Sequence, residues 1–290
     1  MIPIRLPGGA HACLLLHGLA GSPLEVRFIG KLLQRAGFSV HIPVIPGYSM
    51  GASGPRWRDW LAQADAIYEG LRGQYKTVCV GGLSSGATLA LALAQRRPDL
   101  QAIALWAVTL YYDGWAIPWY RSLLEPCYLL GIGRGYAYRE KAPFGLKNER
   151  WRARVAEAMR SHKASTAGPA LLPADFLYHS TLLGRHVESR LERVACDTLV
   201  VHAADDETAS PRNAEDVFAG IRSERKRMIM LGDSYHIVTM DNERDLVARE
   251  TIRFFQRSIL HRYPDEPFTL VSSSRALLRQ QRRRALQRAA

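Results

Sequence analysis

The pentapeptide Gly82-Leu83-Ser84-Ser85-Gly86 follows the pattern Gly-x-Ser-x-Gly. That pattern sets a serine on a sharp turn between a strand and a helix, with small neighbours where the backbone passes closely. A serine hydroxyl is a weak nucleophile near neutral pH. It needs a base to take its proton, and the base needs a partner that fixes its tautomer. With this turn the expected chain order is serine, acid, histidine. The apolar run 198–203 is followed by Asp205, Asp206 and Glu207, and the run 227–231 by Gly232-Asp233-Ser234-Tyr235-His236. Of nine histidines, His236 alone lies between the last strand-like run and the last helical one, so it reads as the base. His202 lies within a strand-like run and His261 beyond the last helix. The chemistry of such a set is acyl transfer, which builds negative charge on a carbonyl oxygen. Two backbone N–H groups would receive it. One belongs to Ser85, after the nucleophile; the other falls in the turn His17-Gly18-Leu19-Ala20-Gly21, where Leu19 is the choice.

These residues need a scaffold that brings strand ends together. Strand-like runs at 12–17, 38–45, 77–81 and 102–108 alternate with helical patterns at 22–36, 57–71 and 86–95. Ser22-Pro23-Leu24-Glu25 reads as a helix start, with Ser22 as cap, Pro23 at the first position and Glu25 closing a capping box. From 112 to 194 the rhythm breaks into helices near 117–130, 149–162 and 174–192, with no convincing strand. It resumes with strands 198–203 and 227–231 and helices 211–221 and 242–258. Strand–helix alternation predicts a parallel sheet covered by helices on both faces. The helical interruption then reads as an insertion above the sheet edge.

The chain has 290 residues, 47% of them hydrophobic, enough for a sizeable core without disulfides or metal. The four cysteines show no Cys-x-x-Cys spacing, so zinc and dithiol chemistry are not indicated. With no signal-like N-terminal stretch and no apolar run of about 18 residues, a reducing, cytoplasmic setting is expected. The formal charge is +12, and six arginines with no acid lie between Arg275 and Arg288. The segment 262–290 is expected to be a flexible basic tail, with weak contact to anionic membrane or nucleic acid as its sharper reading. No nucleic-acid fold signature accompanies it.

Taken together, His17-Gly18-Leu19-Ala20-Gly21-Ser22-Pro23, Gly82-Leu83-Ser84-Ser85-Gly86, the segment 202–211 and Tyr235-His236-Ile237-Val238-Thr239-Met240-Asp241 resemble the small bacterial carboxylesterases and monoacylglycerol-lipase-like members of the α/β-hydrolase superfamily. The likeness spans roughly residues 10–258. It implies an α/β-hydrolase fold with a mostly parallel sheet and a helical cap inserted before the last two strands. The implied divisions are core 1–111, cap 112–194 and core 195–261. It picks Asp206, followed by Glu207 and Pro211, as the acid, with Asp205 one residue away as the alternative. It also assigns Leu19 as oxyanion donor and places the cap over an acyl pocket, where Trp115, Ile117 and Trp119 would meet a small acyl-ester substrate. No cofactor or metal is implied. Two departures stand out: Gly86-Ala87 replaces the family's Gly-Gly, and Gly47-Tyr48-Ser49 replaces its Gly-His-Gly. A thioesterase or acyltransferase would use the same triad. A catalytically idle binding protein, docked through its tail, is the reading from another class.

Overall fold

Successive side chains of a strand point to opposite faces, and the strand His11–Leu16 (β2) fills both. Ala12, Leu14 and Leu16 enter one apolar cluster, Cys13 and Leu15 the other, and all six residues are buried. A strand buried on both faces belongs inside a parallel sheet. The computed structural model describes residues 1–266 and 268, except 52, 53, 55, 132–134, 163, 166 and 167. The arginine-rich segment 275–288 lies outside the described residues.

The core strands before the insertion are Ile4–Leu6 (β1), β2, Ser39–Ile42 (β3), Thr77–Leu83 (β4) and Ala102–Trp106 (β5). The insertion holds the short strands Ala137–Arg139 (β6), Ala164–Ser165 (β7), Gly168–Pro169 (β8) and Leu171–Pro173 (β9). Asp197–Ala203 (β10) and Lys226–Leu231 (β11) complete the sheet, ordered β1-β3-β2-β4-β5-β10-β11. Every pairing in it is parallel except β1 with β3. The described residues of the segment 112–194 add no strand to this sheet.

Helices Arg27–Arg35 (α1) and Arg244–Arg262 (α8) cover one face through Ile29, Leu33, Val247, Phe255 and Ile259. The other face is covered by Trp57–Arg72 (α2), Ser85–Arg96 (α3), Ala174–Glu188 (α6) and Arg212–Gly220 (α7). Helices Leu124–Leu129 (α4) and Glu149–His162 (α5) also belong to the insertion. Among the described residues, no helix is long and apolar enough to cross a membrane.

Two differences from the sequence reading lie in the strands. Strand β1 was not expected, being a three-residue antiparallel edge strand with a single turn of alternation. The insertion carries two small antiparallel pairs, β6 with β9 and β7 with β8, where helices and loops alone were expected. At two or three residues each they are too short for a period to show.

Trp106 ends β5, fully buried, with its indole N–H donating to Thr251 Oγ1 of α8 at 3.1 Å. It therefore couples the strand beside the Ser84 turn to the helix behind the sheet. Trp106→Ala is expected to cost about 3–5 kcal/mol, the range for emptying a large aromatic site, read from the urea midpoint at unchanged slope.

Candidate active site

Ser84 is the single residue between β4 and α3, and it sits at φ 57°, ψ −124°. A side chain rarely tolerates that conformation, so the surrounding contacts must enforce it. They do so by close backbone approach. A Cβ on Gly86 would collide with the His17 and Leu16 carbonyl oxygens, the latter at 2.6 Å, and one on Gly82 would strike the Gly86 backbone. Only glycine at both positions lets α3 leave the turn this steeply against the end of β2. The Ser84 N–H donates to the Trp106 carbonyl at 2.9 Å, tying the turn to β5.

His236 follows β11, and its Nε2 lies 2.8 Å from Ser84 Oγ. Its Nδ1 faces both Asp206 oxygens, at 2.9 and 2.8 Å. Asp206 Oδ1 also accepts the Thr208 and Ala209 N–H groups, each at 2.9 Å, so the carboxylate is fixed by its own loop. In neutral His236 the acceptor-only carboxylate keeps the proton on Nδ1. Nε2 then offers its lone pair to the Ser84 hydroxyl. The one-residue alternative turns away: Asp205 is 60% exposed and pairs with Lys147 Nζ at 3.0 Å. His202 is buried, donates from Nε2 to the Ala209 carbonyl at 2.8 Å, and lies 3.4 Å from Asp206 behind the acid.

Burial pushes His236 down, but Asp206, then Glu207 and Glu140, more than offset it and raise the imidazole to about 9. Burial likewise pushes Asp206 up, and His236 outweighs it, leaving the carboxyl below its ordinary range. Glu207 is raised by burial and its Oε2 accepts the His236 N–H at 3.1 Å. Glu140, on the insertion, is raised to about 7 by burial and by Glu207. The histidine thus sits among three carboxyl groups in a chain whose overall charge is positive.

The turn after β2 is held in detail. His17 Nε2 meets Ser49 Oγ at 2.8 Å and its Nδ1 meets the Gly18 carbonyl at 2.8 Å. Ser49 Oγ accepts the Ile45 N–H at 2.9 Å, so its own proton goes to Nε2 and Nδ1–H donates to Gly18. Burial lowers His17 to about 4, which keeps the ring neutral. Tyr48 OH donates to the His17 carbonyl at 2.7 Å. The Gly47-Tyr48-Ser49 departure therefore supplies two side chains that brace this turn. Within it the Gly18 N–H is taken by Glu25, that of Ala20 by the Tyr48 carbonyl, and that of Gly21 by the Gly18 carbonyl. For the Leu19 N–H no acceptor is found among the described residues. Ser85 opens α3, so its N–H has no acceptor within the helix.

The structure thus brings Ser84, His236 and Asp206 into one hydrogen-bonded chain, with the Leu19 turn and the Ser85 helix start beside it. The three insertion residues expected to meet substrate, Trp115, Ile117 and Trp119, lie at differing depths. Trp115 is exposed, donating to the Asp205 carbonyl at 3.2 Å and packing on Tyr235. Ile117 is half-buried, and Trp119 is 84% exposed against Tyr120. Sequence reasoning missed Thr109, whose Oγ1 lies 3.2 Å from Ser84 Oγ, and the buried hydroxyl contact of Ser85 with Ser180 of α6 at 2.8 Å. A lone threonine or serine in apolar sequence carries no signal of this kind. Among the described residues, no cluster of three or more His, Cys, Asp or Glu is arranged to hold a metal ion.

The family model Hydrolase_4, described as serine aminopeptidase, S33, matches residues 10–243. The chain is similar to a thermostable monoacylglycerol lipase of Bacillus sp. (strain H-257), 26% identical over 261 residues, covering 88% of this chain and 94% of the relative. It is also similar to a carboxylesterase of Bacillus subtilis (strain 168), 25% identical over 264 residues, covering 88% and 96%. Among solved structures, the monoacylglycerol lipase of Paleococcus ferrophilus superposes with a TM-score of 0.74 at 16% identity, covering 89% and 98%. A soluble variant of the Saccharomyces cerevisiae monoglyceride lipase, in complex with a substrate analogue, gives 0.74 at 11% identity, covering 88% and 91%. These structural likenesses show the α/β-hydrolase fold.

A base held at about 9 must lose its proton before it can take one from Ser84. A raised pKa places the loss of activity on the acid side. The kcat/KM for an activated ester is expected to fall as pH drops below about 9, not below the ordinary 6.5. In Glu207→Gln the acid limb should move down by about one unit, the scale of one neighbouring charge. A limb that stays put in the variant would show that Glu207 does not act on His236.

Proposed function

Because the chain belongs to the Hydrolase_4 family, the serine aminopeptidase S33 group of the α/β-hydrolases, we propose that this ester hydrolase works through Ser84, His236 and Asp206 by way of an acyl-enzyme. The observation that carries the reading is the continuous contact from Asp206 through His236 to Ser84, with 2.8 Å at the serine end.

In this reading the Ser84 oxygen attacks the ester carbonyl carbon while neutral His236 takes the hydroxyl proton on Nε2. Asp206 keeps the ring in register and stabilises the imidazolium that forms. The carbonyl oxygen, now anionic, receives the Leu19 and Ser85 N–H groups. His236 then gives its proton to the leaving alcohol as the C–O bond breaks, and the acyl group remains on Ser84. Water enters and attacks the acyl carbon while His236 takes its proton; His236 then returns that proton to Ser84 Oγ as the acyl C–Oγ bond breaks, releasing the acid and restoring the serine.

A small acyl ester is the substrate class, in keeping with relatives named as a monoacylglycerol lipase and a carboxylesterase. Residues 112–194 act as the cap, with α6 reaching the nucleophile's neighbour through Ser180. Trp115 and Ile117 then line the approach to the site rather than its floor, because Trp115 borders the loop carrying Asp206. The four cysteines are free thiols, which suits a reducing, cytoplasmic compartment. The family's description as a peptidase favours one second reading, amide hydrolysis by the same residues.

A fluorophosphonate probe is expected to label the wild type at Ser84 and to spare Ser84→Ala. The variant should lose p-nitrophenyl ester turnover by about 10⁴-fold or more. Matched p-nitroanilides decide the second reading: turnover of the anilide at a rate comparable with the ester would assign the chain to amide cleavage. A wild type that neither reacts with the probe nor turns over ester would end the acyl-enzyme reading.

A further inference from the structure

Glu25 is buried, yet the chemistry above does not use it. The sequence reads it as closing a capping box at the start of a helix. In the structure that first turn is a short 3₁₀ segment, Pro23–Glu25, and α1 begins only at Arg27. Ser22 Oγ accepts from Leu24 at 3.3 Å, and the Glu25 carboxylate turns toward the loop before the helix. There its Oε2 accepts the Gly18 N–H at 2.8 Å. The loop is wrapped on this carboxylate without room for side chains. A Cβ on Gly21 would lie 2.6 Å from Oε2, and one on Gly18 3.1 Å from it. The Glu25 backbone carbonyl accepts the Thr239 hydroxyl at 2.8 Å, three residues after His236.

The consequence lies in the two peptide groups that flank Gly18. The Gly18 carbonyl accepts from His17 Nδ1 at 2.8 Å and from the Gly21 N–H at 3.0 Å. In a planar trans peptide the N–H points opposite to the carbonyl, so the Leu19 N–H is directed away from both donors. That direction is secure only if Gly18 does not rotate, and glycine has more backbone freedom than any other residue. The Glu25 carboxylate fixes the peptide on the other side of Gly18. The site is adjacent to the nucleophile, since a Cβ on Gly18 would lie 3.9 Å from Ser84 Cβ.

We propose that Glu25 is a positioning residue: by holding the Gly18 N–H it aims the Leu19 N–H at the oxygen that becomes negative when Ser84 attacks. This rests on the acyl-enzyme reading of Ser84 and His236. An apolar residue at 25 would fill the space but leave the Gly18 N–H unpaired in a buried turn, so an oxygen acceptor is required. Burial raises Glu25 to about 7, partly offset by the Gly18 and Ser22 N–H groups and by His236. The other titratable group coupled to it is Tyr48, from the loop after β3. Protonation places a hydrogen on a carboxyl whose oxygens receive N–H groups, so the grip on Gly18 loosens in acid.

The test compares wild type, Glu25→Ala and Glu25→Gln in the full chain, on one p-nitrophenyl ester, with thermal melts of each. Glu25→Ala is expected to lower kcat about tenfold or more, short of removing an oxyanion donor outright, with KM changed less than about threefold. Glu25→Gln retains one acceptor oxygen and should recover most of that loss at pH 9. Below the His236 limb, which both proteins keep, the wild-type kcat should steepen again near 7, and Glu25→Gln should lack this second limb. If the alanine variant fails to fold, that limb decides the matter in the glutamine variant. Wild-type kcat in Glu25→Ala, a folded Glu25→Gln as slow as Glu25→Ala, or the same limb in Glu25→Gln would overturn the proposal. An inert wild type would remove its premise and would be seen before any variant is compared.

Discussion

The site depends on one close approach of backbone to backbone. The first turn of α3 lies against the last carbonyl groups of β2, with the Leu16 oxygen 2.6 Å from where a Cβ on Gly86 would stand. Nothing larger than glycine permits it. The approach brings the turn after β2 beside Ser84 and forces Ser84 into its positive-φ conformation. The parallel order of β2, β4, β5 and β10 then places the ends of all four strands on the same side. Asp206 and His236 arrive there from loops after β10 and β11. Residues more than 100 apart in sequence meet because parallel strands share a direction, with no long-range side-chain contact needed to draw them in.

Electrostatics adds a second constraint. The chain carries a formal charge of +12, yet the space around His236 is acidic, with Asp206, Glu207 and Glu140 all acting to raise it. Burial strengthens each of these interactions, because little water screens them. Asp206 is paired and held below its ordinary range, whereas Glu207, Glu140 and Glu25 are raised by burial. Of these four, Asp206 alone is held below its ordinary range, and it is the one that touches the ring nitrogen. The others modulate its setting from further away.

Much of this was legible in the sequence, and the part that was not follows a physical pattern. Strand–helix alternation and Gly-x-Ser-x-Gly report local requirements, periodicity and steric room, which residues express close to where they act. The placement of Asp206 over Asp205 needed the family register, since both follow the same strand and only three-dimensional structure shows Asp205 paired outward with Lys147. Glu25 was read only in part. Its spacing from Ser22 fits a helix cap, and its carboxylate does meet the Ser22 N–H, but its further partner, the Gly18 N–H seven residues earlier, leaves no periodic trace. Ser49 looked like a departure from a family motif, but it supplies the hydroxyl that sets the His17 tautomer. Strands of two or three residues such as β7 and β8 are beyond any pattern-based reading.

The insertion shows how unevenly one segment can be committed to the body of a protein. Its last helix, α6, buries Phe176, Leu183 and Val187 in the same apolar cluster as α2 and α3. Ser180 on that helix meets Ser85 at 2.8 Å and Tyr112 OH at 2.8 Å, so the residue after the nucleophile is tied to the insertion by hydroxyls. The earlier part faces the other way. Trp119, Leu129 and Leu130 are 84%, 67% and 74% exposed. The apolar character read there from sequence therefore does not serve to pack the insertion on the sheet. That task falls to α6 on one face and to Leu146 and Val155 on the other, and any displacement of α6 would break a buried hydroxyl contact beside Ser84. The part of the insertion that borders the chemistry is held by core burial, while the exposed apolar part carries none of that constraint.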